Sequence, residues 1–399
     1  MFSSILPSLV TVLAFSAGTA FSQNAVRPLV SRRVTEYLMP VTAQTHEVAR
    51  VPGTNFLLLS QMSNSQLVKI ELDPATETPI AYQSFPMGKD SKSGLHGVWP
   101  STVYPGMMWL SLQSENRLIL VDPGESLSAA PSIIKTIDIP QPGNGPHSVF
   151  EIGNRVWAGL KVASPQTEKF YVFSADVADT SDSILYPCLA SPVFIQQDPS
   201  TKLVYVTQDA ASAIMSINIT SGVTAQIPIP PSVGNNPVGL ITVSGSSRLA
   251  GLWFSLAGNA TGGTATFGRI LPSTGALQFF TLSHPTLSKN TALLHLADAS
   301  TPDTPALWLL STSLLSPNSP DALIHVTFNE AISKIASEEY ISVPTQNAML
   351  HRILKLDRTV VVSELNTFSI AQLAYEGAVA GEWKPAQTEG EAVVYDEAS

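Results

Sequence analysis

Charge is scarce in this chain. Only 13% of its 399 residues are Asp, Glu, Lys or Arg, and its 21 basic residues are scattered within a formal net charge of −10. Nucleic-acid binding, which needs clustered Lys and Arg against phosphates, is therefore not expected. A single cysteine, Cys188, excludes an intramolecular disulfide framework and reads as a small buried apolar residue. Long helices are missing as well. Thirty prolines interrupt the chain, each removing a helical hydrogen bond, and no window longer than about twelve residues holds an apolar 3.6-residue period. Residues 330–338 are the best short helical candidate. No stretch beyond the N-terminus reaches the ~18–20 apolar residues of a membrane span.

What is present is a repeat. An inner strand opening on His or Pro is followed by a tight turn and a strand carrying Trp or Leu-Leu, as in Pro146-His147-Ser148-Val149 before Val156-Trp157-Ala158-Gly159, and Pro237-Val238-Gly239-Leu240 before Leu252-Trp253-Phe254-Ser255. Units open near His46, His96, His147, Val193, Val238, Ala292 and Met349, at intervals of about 45–57 residues, which fit four-stranded blades with insertions. The fold expected is all-β, a single β-propeller of seven blades, or six if one unit is an insertion. The seventh unit lacks a strand. Residues 35–40 supply it, pairing the two chain ends and leaving no open edge.

Around this propeller, placed at 35–378, residues 1–20 have the shape of a secretory signal and 21–34 form a lead segment. Residues 379–399 read as an acidic disordered tail. A secretory or secreted location follows, with Asn218 and Asn259 as acceptor sequons for glycosylation.

Inner-strand starts and second-strand ends converge on one channel mouth. The first set contributes His46, His96, His147 and His351, four of the seven histidines; the second contributes Gln61, Gln113, Lys161, Gln208, Ser255, Ser311 and Glu364. Trp109, Trp157, Trp253 and Trp308 share one second-strand position, which suits packing between blades. Trp99 and Tyr104 lie in an insertion and are candidates to reach a ligand. No tight metal-ligand pair and no Gly-x-Ser-x-Gly elbow occurs, so neither a metal nor another cofactor is expected.

The repeat resembles that of the streptogramin B lyases, through Gly145-Pro146-His147-Ser148-Val149, Leu252-Trp253-Phe254-Ser255 and Phe267-Gly268-Arg269-Ile270. That resemblance implies a last-blade His and a nearby Glu acting with magnesium; the nearest matches are His351 and Glu364. His351 lacks the preceding Pro and following Gly, and Lys161 stands at the acid position of the third blade.

Across the whole chain, Thr45-His46-Glu47-Val48, Leu95-His96-Gly97-Val98, Gly145-Pro146-His147 and Asn347-Ala348-Met349-Leu350-His351-Arg352 are similar in style to the fungal hetero-Diels-Alderases of tropolone sesquiterpenoid biosynthesis. That likeness implies a tropolone o-quinone methide and an apolar humulene-type olefin as small-molecule partners, with no cofactor. Lys161, His147 and His96 are then the candidate carbonyl donors, and His351 with Glu364 would assist loss of water. A metal-dependent lyase or lactonase using magnesium is the alternative, and a non-enzymatic binding propeller is a third.

Overall fold

The computed structural model describes residues 24–25, 28–30, 34–40, 44–374 apart from 199, 244, 246, 272 and 273, and 393–395. Seven antiparallel sheets stand in a closed ring, each inner strand neighbouring the next and the seventh returning to the first. The inner strands are Thr45–Arg50, Leu95–Pro100, Pro146–Ile152, Ser191–Gln197, Pro237–Val243, Leu293–Asp298 and Leu350–Lys355, opening blades 1 to 7 in that order.

Blade 7 closes as expected. Val34–Leu38 pairs antiparallel with Ser369–Ala374, so an N-terminal strand completes the sheet of the last blade. Three short strands extend blade edges: Asn24–Ala25 beside Pro79–Pro86, Pro28–Val30 beside Val34–Leu38, and Val393–Tyr395 beside Leu277–Thr281. The last falls within 379–399, the segment expected as an acidic disordered tail, whose other residues lie outside those described. The signal segment lies outside the described residues. The best short helical candidate, 330–338, is not a helix: Ile335–Ser342 is the outer strand of blade 6. Among the described residues, no helix is long and apolar enough to cross a membrane.

The Trp column packs between blades. Trp109, Trp157, Trp253 and Trp308 are all buried, each in a different apolar cluster. Cys188 is likewise buried, its Sγ 3.7 Å from Met215 Sδ, and burial pushes its thiol up to about 12.

A second repeated device sits nearer the axis. In all seven blades the register between first and second strands shifts within the first few residues of the inner strand, a bulge that re-aims one side chain toward the channel. In blades 1, 2, 4 and 7 a second-strand hydroxyl fills the gap. Ser60, Ser111, Thr207 and Ser363 accept the N–H of Glu47, Gly97, Phe194 and Arg352. They donate to the carbonyls of His96, His147, Val238 and His46 in the following blade.

Each hydroxyl thus satisfies one blade's bulge and stitches it to the next. Thr207→Val keeps the shape but leaves the Phe194 N–H and Val238 carbonyl unpaired; it should cost about 1–3 kcal/mol in denaturant unfolding. An unchanged midpoint would show that the stitch is dispensable.

Candidate functional site

The bulge delivers one residue per blade to the channel mouth: His46, His96, His147, Val193, Val238, Leu294 and His351. Blades 6 and 7 therefore contribute residues two positions beyond the starts read from sequence, Ala292 and Met349, because the strand begins before its bulge. The ring is divided. Blades 7, 1, 2 and 3 present four histidines in succession, and blades 4, 5 and 6 present three aliphatic side chains.

The imidazoles are in contact. His96 stacks on His147 with centroids 3.4 Å apart, and His46 lies 4.3 Å from His96 and 4.6 Å from His351. Burial lowers the pKa of His46, His96 and His147 well below the usual value, and neighbouring histidines and Lys161 add to the effect. His351 falls to about 3, chiefly by burial, with Lys161 and Arg352 contributing. All four are neutral at physiological pH.

Neutrality makes the proton positions legible. The His96 Nδ1–H donates to the His147 carbonyl at 2.8 Å, and the His147 Nδ1–H donates to Gln113 Oε1 at 2.7 Å. His351 bonds the backbone of His46, while its Nδ1 is buried without a hydrogen-bond partner. His96 Nε2 and both ring nitrogens of His46 are also buried and unpartnered. Since His96 and His147 have spent their N–H groups, neither can serve as the carbonyl donor expected of it; Lys161 retains that capacity.

Below the mouth lies a cavity of about 60 Å³, room for a few waters or one polar head group. Glu47, His96, His147, Lys161, Asp209 and His351 line its polar side. Val193, Phe194, Val238, Leu294, Leu314 and Leu315 line the other. Lys161 Nζ stands 4.0 Å from Asp209 Oδ2; burial lowers its pKa and Asp209 opposes this.

Several residues singled out in the sequence fall elsewhere. Glu364 is fully buried but faces Glu36, Asp321 and Thr367, not His351, whose acidic neighbour is Glu47 at 3.7 Å. Their backbones are neighbours across the blade 7 strand pair, but the bulge turns His351 to the axis while Glu364 stays on the sheet face. Burial holds the His351 pKa at about 3, and Glu364 is not the partner expected beside it. Trp99 follows His96 by three residues, about 10 Å along the strand, and packs edge-on against Phe150. Tyr104 lies beneath Lys135, in an insertion anchored by Glu151, which accepts from Ser101, Thr102 and Val103. Neither aromatic lines the cavity.

Gln61 donates to the Pro40 carbonyl, and Gln208 bridges Gln226 and the Leu189 N–H; of the three glutamines only Gln113 bonds an axial histidine. Asn218 ends the strand Ala213–Asn218 and Asn259 bridges Gly262, and their Oδ1 atoms accept backbone N–H groups of the turns that follow.

Residues missed in the sequence sit one place beyond the histidines. Arg352 is partly buried, with Nε 3.3 Å from Glu47 Oε2, Nη1 2.6 Å from His295 Nε2 and its guanidinium over the Phe194 ring. The signal was available: an acid and a base each directly follow an axial His. Magnesium does not fit this centre. It prefers oxygen donors, whereas the convergent groups are imidazole nitrogens and one oxygen of Glu47 faces Arg352.

Neither a family model nor a curated protein matches this sequence. Solved structures do. Virginiamycin B lyase from Staphylococcus aureus superposes with a TM-score of 0.63 at 16% identity, covering 86% of this chain and 99% of that one. A catalytically inactive variant of that lyase with quinupristin gives 0.64 at 16% identity with the same coverage. A functionally unknown protein from Desulfotomaculum acetoxidans gives 0.54 at 11%, over 86% of this chain and 99% of that one. At such identities the likeness shows the propeller fold.

Glu364 generates a pH test. Burial, reinforced by Glu36 and Asp321, raises its carboxyl from 4.5 to about 8 in the folded state. The folded chain therefore holds a proton that the unfolded chain releases between about pH 4.5 and 8, and stability falls as pH rises through that window. Glu364→Gln should flatten the thermal midpoint over this range and raise it near pH 8. An unchanged slope would remove Glu364 as its source.

Proposed function

We propose that this chain is an enzyme of secondary metabolism whose channel mouth joins an apolar olefin to a conjugated carbonyl compound. In its specific form the reaction is an intermolecular hetero-Diels-Alder addition between a tropolone o-quinone methide and a humulene-type sesquiterpene. The observation that carries this reading is the divided cavity, with Lys161 at the polar side and an aliphatic wall opposite. The heterodiene oxygen accepts a hydrogen bond from Lys161, which lowers its acceptor orbital in a site largely shielded from water. Its exocyclic carbon bonds one olefin carbon while its oxygen bonds the other, so no group leaves and no proton moves. Only the carbonyl head of the heterodiene enters the cavity, and the olefin lies at its rim across Leu314 and Leu315. Holding the two reactants together at that rim makes a bimolecular step effectively unimolecular. A secretory route for the chain belongs to the same proposal.

A second reading, a metal-assisted lyase or lactone-opening enzyme, is favoured by the convergence of His46, His96 and His351. The product separates the two: a lactone opened with no cycloadduct formed would select the second.

Incubation of the purified protein with a quinone-methide precursor and humulene should raise adduct yield and fix its stereochemistry. Lys161→Met should lower the rate about 100-fold or more with an unchanged thermal midpoint, and Lys161→Arg should retain part of it. A product mixture identical to the uncatalysed one would end the cycloaddition reading.

A further inference from the structure

We propose that His46, His96 and His351 form a site for a nitrogen-preferring divalent d-block cation of the Zn(II) or Co(II) class, at the axial mouth of the propeller. This goes beyond the proposed reaction and does not depend on it.

The first ground is convergence. One ring nitrogen from each of the three histidines lies within 4.8 Å of the other two. A tetrahedral ion with bonds of about 2.0 Å sets its ligand atoms about 3.3 Å apart, so ring rotations closing each gap by at most about 1.5 Å complete the geometry.

The second ground is the proton inventory. His96 Nδ1–H is fixed on the His147 carbonyl, leaving a lone pair on Nε2, which is buried and unpartnered. His351 bonds the His46 backbone with one nitrogen and leaves Nδ1 unpartnered. Both arrangements are those by which an outer hydrogen bond sets the tautomer of a metal ligand. Neither nitrogen of His46 has a partner, and an imidazole with one N–H offers the lone pair of its other nitrogen. One cation engages one lone pair from each of the three rings.

The third ground is charge and access. Glu47 Oε1 lies 3.7 Å from His351 Nδ1, with its other oxygen paired to Arg352, and Asp209 offsets Lys161. His96 and His351 both border the cavity, which leaves a fourth position open to water or to a substrate oxygen. Imidazole donors select zinc, cobalt, nickel or copper over magnesium.

The test uses the untagged full chain, stripped of metal and titrated with cobalt(II). One equivalent should give the intense visible bands of four-coordinate cobalt, bleached by one equivalent of zinc, and zinc should raise the thermal midpoint by a few degrees. His96→Gln and His351→Gln should each weaken cobalt binding about 100-fold or more, and His284→Gln, outside the site, should leave it unchanged. Should the variants fail to fold, the native titration decides alone. No cobalt band and no midpoint shift with zinc, cobalt or nickel would overturn the site, and a one-to-one response to magnesium would overturn its nitrogen-donor assignment. Binding, not turnover, is read, so the result is separable from the fate of the cycloaddition.

Discussion

The structure depends on what happens at the first few residues of each inner strand. A regular antiparallel pair would alternate its side chains between the two faces of the blade and aim none steadily down the axis. The bulge breaks that alternation once per blade, and a second-strand hydroxyl repairs the hydrogen bonding while reaching the next blade. In blades 1, 2, 4 and 7 one device therefore both ties a blade to the next and points a side chain into the channel. The axial residues are fixed through their own backbones, since the carbonyls of His46, His96 and His147 are the acceptors of the stitches.

Elsewhere the chain treats buried charge with care. Lys69, fully buried, donates to the carbonyls of Pro123, Ser126 and Ala129. Glu77 accepts from the Asp357 and Arg358 N–H groups and from Thr359, and Glu338 is bonded to Ser283, His284 and Tyr340. These carboxylates tie one element to another and are satisfied, as buried charges must be. Against that background the unpartnered nitrogens of His46, His96 and His351 stand out. Unsatisfied buried polar atoms are uncommon and costly, and here several gather at the one place where all seven blades meet.

Much of the architecture was legible in the sequence because the repeat is written in residue types. Trp at the fourth-from-last place of the second strand, and Pro, Gly and Asn at the turns, mark packing and chain reversal directly. The column of His46, His96 and His147 was visible for the same reason. Glu364 was misplaced beside His351 because strand pairing makes their backbones neighbours, and only the bulge decides that the side chains part. Trp99 and Tyr104 looked like ligand contacts because an insertion between strands resembles a binding loop; it lies at the far end of the inner strand, anchored by Glu151. Arg352 and Glu47 went unread because their pairing joins blade 7 to blade 1, residues at opposite ends of the chain.

By itself the sequence determined the all-β propeller, the closure of blade 7 by an N-terminal strand, and the Trp column as interblade core. Local strand and turn chemistry is repeated often enough there to outweigh the noise in any one copy. The tertiary structure decided the rest: which side chains reach the axis, which nitrogens keep a lone pair, and that the polar and aliphatic arcs face each other. Those properties depend on a one-residue register shift in each blade and on contacts between blades, and neither is encoded in the residues of one unit alone.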